Sequence, residues 1–265
     1  MARLRLGISP CPNDTFAFHQ LLARYGDEYE LIIDDVEALN GMAEAGALDI
    51  AKISVAAYGR LRPDWALLRA GGAAGHGVGP LLVAAREGAE GVVAIPGART
   101  TAALLLRQLG PRETVEMRFD RIEQAVLDGA VAMGVLIHEG RFTYADRGLV
   151  KIADLGEVWE QRQQVPIPLG AIAMRRALGA EQSATFDARL RSSVEHALAH
   201  PDDSAAFVRT HAQEMDPDVV RQHIDLYVND YTVRLDERAV ETLLQFGAEQ
   251  GLFAGSEAPL FLHEG

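Results

Sequence analysis

The sequence predicts an α/β protein with two lobes around a central ligand cleft. Short apolar segments typical of strands alternate with segments of helical spacing. A charged, glycine-bearing link at 86–90 precedes a second unit of this kind, and the apolar segment 166–173 has the form of a strand that leads back to the first. Alternating strands and helices favour a largely parallel sheet. The chain has 265 residues and 48% hydrophobic content, enough to bury a sizeable core.

The first unit begins with a strand, a loop and a helix. Asn13, Asp14 and Thr15 offer capping side chains for a helix that follows the strand 4–8. The further predicted strands cover 30–33, 49–54, 67–70 and 81–85, and the further predicted helices cover 35–47 and 55–61. Segment 71–79 between the last two strands is rich in glycine.

The second unit repeats this alternation and is followed by a helical tail. Its predicted strands cover 92–95, 117–119 and 132–137, with helices opening at Thr100-Thr101 and covering 122–127; the segments 149–152 and 155–160 complete it. The tail helices cover 185–200, 202–214, 217–228 and 237–250. We therefore predict a discontinuous large lobe, 1–88 with 174–265, and a small lobe, 89–173. A cleft between such lobes lies outside the carboxyl ends of the strands.

Composition excludes several classes of partner. The formal net charge is −13, from 38 acidic and 25 basic residues, which disfavours nucleic acid. Cys11 is the only cysteine, so no intramolecular disulfide can form, and a reducing compartment is expected. Segment 1–8 has no apolar stretch of signal-peptide length, and no apolar run approaches the roughly 20 residues that span a membrane. We expect a cytoplasmic protein with no membrane partner.

Three strand-to-helix turns carry residues suited to an anionic ligand. They are the turn with Asp14, the turn with Lys52 and Ser54, and the turn with Thr100 and Thr101. Hydroxyl groups and unpaired backbone N–H groups coincide where helices begin, and both favour a bound carboxylate or phosphate. The alternative is that Asp14, Ser54 and Thr100 only cap their helices.

His138 is the candidate for acid–base chemistry. It follows a buried strand and is expected at that strand's carboxyl end, facing the cleft, where an imidazole can move a proton near neutral pH. The alternative is a structural histidine. His76, in the glycine-rich segment, is the other histidine expected near the cleft. Cys11 lies between two prolines, which indicates a shaped turn and not a catalytic thiol.

Motifs for cofactors and metals are missing from the sequence. There is no Walker pattern, no G-x-G-x-x-G between a strand and a helix, no HExxH and no CxxC. We expect neither a nucleotide cofactor nor a metal site.

Several segments taken together resemble a known family. The most specific are SPCPNDTF at 9–16 and IHEGRFTY at 137–144, joined by DVEALN at 35–40 and KISVAAY at 52–58. With Gly71-Gly72, 77–80, Pro96-Gly97 and 168–171, they resemble the 1,4-dihydroxy-6-naphthoate synthase family in order and spacing over nearly the whole chain. Gly140 stands where the family usually has serine.

The resemblance implies a type-II periplasmic-binding-protein-like fold and a cofactor-independent lyase. Its implied reaction converts cyclic dehypoxanthinyl futalosine, a small anionic substrate, into 1,4-dihydroxy-6-naphthoate in menaquinone biosynthesis, with no organic cofactor and no metal. His138 is the implied general base. The implied substrate contacts are Lys52, Ile53, Ser54, Thr100 and Thr101, with Asp14 and Asn40 as further contacts.

Two other functions remain open at this point. A non-catalytic binding protein for a small carboxylate would share this fold and its anion-binding turns. The second open function is that of chorismate dehydratase, an enzyme of the same pathway with the same fold. The tail helices are expected either to cover the sheet of the large lobe or to support a homodimer.

Overall fold

Two β-sheets organise the chain, which a computed structural model describes for residues 3–212 and 216–264. The strands are β1 (Leu4–Ile8), β2 (Tyr29–Ile33), β3 (Ile50–Ser54), β4 (Trp65–Leu67), β5 (Ala73–Gly75), β6 (Leu81–Ala84), β7 (Val93–Ile95), β8 (Thr114–Glu116), β9 (Met133–Leu136), β10 (Val150–Asp154) and β11 (Ile167–Arg175).

Helices surround both sheets. They are α1 (Pro12–Tyr25), α2 (Val36–Glu44), α3 (Val55–Leu61), α4 (Thr101–Leu106), α5 (Phe119–Leu127), α6 (Gly140–Thr143), α7 (Leu155–Gln163), α8 (Gly179–Ala199), α9 (Ala205–His211), α10 (Pro217–Tyr227), α11 (Asp230–Val233) and α12 (Glu237–Glu249). In the part of the chain that the structure describes, every helix is too short or too polar to span a bilayer.

The first sheet has the strand order β2-β1-β3-β11-β4, with β5 paired to β11. Strand β1 runs parallel to both β2 and β3, as the strand–helix alternation predicts. Strand β11 runs antiparallel to β3, β4 and β5, which makes the sheet mixed. Because β3 is buried along its whole length and β11 along most of it, they form the centre of the sheet.

The second sheet has the order β10-β6-β9-β7-β8. Strand β7 is parallel to β8 and β9, whereas β6 is antiparallel to β9 and β10. Strand β9 lies in the middle, and all four of its residues are buried. Its carboxyl end leads directly into residues 137 and 138, so this sheet positions the predicted base.

Sheet membership corrects the predicted lobe boundaries. Strand β6 belongs to the second sheet, although the sequence predicts the segment 81–85 in the large lobe, and β11 belongs to the first. The chain therefore crosses between the sheets before β6 and again between α7 and β11. The charged segment 86–90 is instead a mostly exposed loop between β6 and β7 within one sheet. Its composition indicates a loop but carries no information about which sheet the flanking strands join.

Two local predictions are also corrected. The strand predicted at 117–119 is β8, three residues earlier; its exposed residues form the edge of the sheet, so it lacks the apolar pattern of a buried strand. Helix α1 begins at Pro12 with Cys11 as its N-cap residue, and not at Asn13–Thr15. Proline favours the first helical position because its fixed φ suits the helix and its missing N–H has no helical partner there.

The predicted tail helices are present as α8, α9, α10 and α12. The last two residues predicted in the helix 202–214 lie outside the described residues. Phe186, Leu190 and Val194 of α8 pack in one core cluster with Leu6 and Phe18. The tail thus covers the first sheet, and a homodimer stays a prediction.

A close backbone contact where the chain crosses between the sheets gives a test of the fold. A Cβ atom on Gly156 would lie 2.4 Å from the carbonyl carbon of Val78 and 2.5 Å from the nitrogen of Gly79. Since these are backbone atoms, Gly156→Ala is expected to lower the free energy of unfolding by about 1–3 kcal/mol in urea titrations. The control Gly41→Ala has open space within α2 and should raise it by about 0.5–1 kcal/mol. Equal values for the two variants would contradict the contact.

Candidate active site

A cleft between the two sheets holds most of the predicted site residues. It encloses about 660 Å³ of space not filled by protein atoms, open mouth included. Residues from both sheets, and from the helices and loops next to them, form its walls. The lining residues are Ser9, Asn13, Asp14, Val36, Lys52, Ser54, Ala73, Pro80, Thr100, Thr101, Ala102, Ile137, His138, Leu169, Gly170, His223 and Tyr227.

His138 lies two residues beyond β9 and lines this cleft, as predicted from its place in the sequence. Its φ of 57° is in the left-handed region, which a non-glycine residue adopts only at a cost in energy. The side chain is held by a contact of Nδ1 with Cys11 Sγ at 3.3 Å and by an edge-on Phe119 ring at 4.9 Å between centroids. The imidazole is therefore fixed by both sides of the cleft.

The imidazole of His138 is neutral at physiological pH. Burial lowers its pKa from 6.5 to about 4, Asp14 opposes this shift, and Lys52 adds to it. A neutral imidazole has a nitrogen lone pair, so His138 is able to accept a proton over the whole neutral range.

Cys11 is a neutral thiol beside His138. Burial raises its pKa well above 9.0, and the carboxylates of Glu139 and Asp14 add to the rise. A thiol of this kind is a hydrogen-bond partner and a poor nucleophile. The contact of Cys11 with His138 joins residues 127 positions apart, and no local sequence signal indicates it.

Asp14 lies at the centre of a polar network. Its carboxylate accepts hydrogen bonds from Ser9 Oγ at 2.6 Å and from Asn13 Nδ2 at 3.0 Å, and it forms a buried ion pair with Lys52 Nζ. Asp14 lies in the first turn of α1 but does not cap it. Because Asp14 compensates the charge of Lys52, this lysine reaches the cleft as half of an ion pair and not as a free cation.

Alternation along β3 separates three of the predicted contacts. Lys52 and Ser54 lie on the face of the strand that lines the cleft, whereas Ile53 points to the opposite face and is fully buried in the core. Ile53 therefore offers the cleft no side chain, in contrast to the expectation from the resemblance.

Asn40 lies behind the cleft wall and not in it. Its Nδ2 donates to Ser54 Oγ at 3.1 Å, and its Oδ1 accepts from the Ser54 backbone N–H at 2.9 Å. This fully buried amide fixes Ser54. Since Asn40 already donates to Ser54 Oγ, the hydroxyl hydrogen of Ser54 is directed elsewhere and is available to a ligand.

Thr100 and Thr101 line the cleft but use their hydroxyl hydrogens within the protein. Thr100 Oγ1 donates to the Gly97 carbonyl at 2.8 Å and caps α4 by accepting from Ala103 N. Thr101 Oγ1 donates to the Leu169 carbonyl at 2.8 Å. Each hydroxyl has a single hydrogen, so neither donates to an anion without giving up a backbone partner.

Among the cleft residues that sequence reasoning missed are two polar aromatic residues, His223 and Tyr227, which both lie on α10. Their i, i+4 spacing places them on one face of that helix, and two polar aromatics so placed were the available signal. Burial raises the pKa of Tyr227 to about 12, so its phenol stays protonated. His76 is exposed and contacts Tyr231 instead of the cleft.

The lowered pKa of His138 makes a prediction about acid stability. Between about pH 6.5 and 4, the unfolded chain binds a proton at His138 that the folded chain does not, so this residue's contribution to stability is lost as pH falls through that window. His138→Gln should therefore lose less stability than the parent protein between about pH 7.5 and pH 5. Urea midpoints at both pH values test this, and an equal loss in the two proteins would contradict a neutral His138 imidazole in the folded protein.

Among residues 3–212 and 216–264, no three His, Cys, Asp or Glu side chains are grouped so that they could hold a metal ion.

A family model described as menaquinone biosynthesis matches residues 4–249, which is most of the chain. The chain belongs to the menaquinone biosynthesis family.

Two named relatives in this menaquinone biosynthesis family match along nearly their full length. A Thermus thermophilus protein named 1,4-dihydroxy-6-naphtoate synthase is 44% identical over 272 residues, covering 99% of this chain and 100% of the relative. A Streptomyces coelicolor protein of the same name is 44% identical over 265 residues, covering 94% of each. These matches confirm the family resemblance that the sequence motifs indicate.

Solved structures confirm the fold of this menaquinone biosynthesis family member. A crystal structure of an Archaeoglobus fulgidus protein has a TM-score of 0.88 and 36% identity, covering 95% of this chain and 98% of that one. A Candida albicans protein described as having the generic periplasmic binding protein fold has a TM-score of 0.69 at 12% identity, covering 97% and 92%. The periplasmic-binding-protein-like α/β fold is thus confirmed.

Proposed function

We propose that this protein is a 1,4-dihydroxy-6-naphthoate synthase, a lyase that acts on cyclic dehypoxanthinyl futalosine without an organic cofactor or metal. The names of its two 44% identical relatives support the reaction. The structural observation that carries the proposal is His138, a neutral imidazole held in the cleft between the two sheets. The proposal includes a cytosolic location for the protein.

The proposed chemistry starts with proton removal by His138. The substrate joins a carboxylated ring system to a sugar-derived fragment, and its cleavage yields an aromatic dihydroxynaphthoate. The bond to the sugar-derived fragment breaks and that fragment departs, and the aromatic stability of the product provides the driving force. We assign the first proton removal to one base, His138. A positioned general base typically contributes about 10²- to 10⁴-fold to the rate.

The lining of the cleft suits such a substrate. Its apolar wall offers Val36, Ala102, Ile137 and Leu169 to a ring system. The Ser54 hydroxyl, with its hydrogen directed away from Asn40, is the donor that we assign to the substrate carboxylate or to a developing oxyanion. Closure of the lobes over the substrate would exclude water from the proton transfer.

A turnover assay tests this proposal. Purified protein is incubated with cyclic dehypoxanthinyl futalosine, and the naphthoate is measured by mass spectrometry; chorismate is supplied in a parallel reaction. We expect the cyclic substrate to be consumed and chorismate to be unchanged. Saturable binding without turnover would instead identify a binding protein for a small carboxylate, and consumption of chorismate would identify chorismate dehydratase.

A further inference from the structure

His223 is a buried titratable residue in the cleft that the proposed chemistry does not use. It is 1% exposed, and its ring centroid lies 6.2 Å from that of His138 and 4.9 Å from that of Tyr227. It reaches this position from α10, far along the chain from the other residues of the polar network.

The hydrogen bonds of Asn13 determine which nitrogen of His223 carries hydrogen. Asn13 Nδ2 donates to Asp14 Oδ1 at 3.0 Å, so the amide oxygen of Asn13 is the atom that faces His223. His223 Nε2 lies 2.9 Å from this oxygen and must therefore be the donor. The side-chain amide of Asn13 thus links His223 to the carboxylate of Asp14.

The other ring nitrogen then carries a lone pair. Burial lowers the pKa of His223 well below 6.5, and the nearby charge of Lys52 acts in the same direction, so the ring is neutral. Nδ1 is buried without a hydrogen-bond partner, and Glu139 Oε1 lies 3.9 Å away. A buried polar atom left without a partner costs free energy.

We propose that His223 is a positioning residue whose Nε2–H holds Asn13, and through it Asp14, beside His138. The tests of this proposal that measure kcat and KM rest on the proposed function. Asp14 and Lys52 are the charged residues that act on the pKa of His138, Cys11 contacts its ring, and His223 and Glu139 flank it. Without the bond from His223, the Asn13 amide is free to turn, so Asp14 loses the fixed direction of one of its donors and the surroundings of the base change.

Three substitutions at His223 distinguish the roles of the two nitrogens. Glutamine places an amide nitrogen near the position of Nε2, asparagine places one near Nδ1, and leucine removes both. We expect His223→Gln to keep kcat within about threefold. His223→Asn and His223→Leu should each lose up to about 10²-fold in kcat with little change in KM, because a small displacement of reacting groups is that costly. His200→Leu, at the exposed end of α8, is the matched control.

A double-mutant cycle separates positioning from a general loss of stability. Asn13→Ala should lower kcat as much as His223→Leu does, and the double variant should show no further loss, because both remove the same link. Thermal melts of all variants confirm folding. Multiplicative losses in the double variant would overturn the proposal, as would His223→Asn matching His223→Gln.

Nitrogen NMR on histidine-labelled protein tests the link without any substrate. We expect His223 to be neutral and protonated at Nε2 between about pH 6 and pH 8. A signal showing hydrogen on Nδ1, or a charged ring, would overturn the proposal. If the parent protein fails to convert cyclic dehypoxanthinyl futalosine but shows this tautomer, the proposed reaction is wrong and the hydrogen-bond assignment is retained.

Discussion

Replacing His138 with glutamine is expected to lower kcat by about 10²- to 10⁴-fold, the range typical of a lost general base. Glutamine is similar in reach and keeps a hydrogen-bonding group toward Cys11, but its amide cannot take up a proton at neutral pH. The side chain replaced is half-buried and makes few polar contacts, so the fold should persist. The loss is therefore expected in the chemical step and not in the amount of folded protein.

The rate of naphthoate formation at saturating substrate measures this effect. His19→Gln, a change of the same type on α1 away from the cleft lining, is the matched control and should turn over at the parental rate. Circular dichroism checks that both variants are folded. If folded His138→Gln retains near-parental kcat, the base is another group and the proposed mechanism is wrong.

The second large effect is expected for the ion pair between Lys52 and Asp14. Their side chains are 6% and 3% exposed, so Lys52→Met leaves a carboxylate buried without its cation. Removing one partner of a buried pair typically costs about 3–5 kcal/mol of unfolding free energy, more than the pair contributes net. The double variant Asp14→Asn with Lys52→Met removes both charges and should recover most of this loss.

Urea denaturation of the two variants tests this prediction. The ion pair of Arg5 with Asp49 offers a matched control, because its side chains are 35% and 17% exposed and its N–O distance is 2.8 Å. Solvent screens this pair, so Arg5→Met should cost about 1 kcal/mol or less. If Lys52→Met lowers the free energy of unfolding as little as Arg5→Met does, the claim that it leaves the Asp14 carboxylate uncompensated in the cleft wall is wrong.

Tertiary structure alone reveals how the cleft residues support one another. The sequence places Asp14, Lys52, Ser54, Thr100, Thr101 and His138 at the ends of strands, and all six line the cleft. Their hydrogen bonds are not readable from the sequence. Asp14 neutralises Lys52, the two threonines donate to backbone carbonyls, and Asn40 holds Ser54 from behind. Residue type indicates which hydrogen bonds and charges a side chain can offer. Its partners in the folded protein decide which of these remain available to a ligand.

Three features can be read from the sequence: the alternation of strands and helices, the family, and the position of His138 at the end of a buried strand. These follow from local signals, namely hydrophobic periodicity, turn residues and short motifs. Two others required the folded chain: β6 joins the second sheet, and His223 contacts Asn13, 210 positions away in the chain. Periodicity records that a segment is buried and not what it is buried against, because long-range pairing depends on the packing of the whole chain.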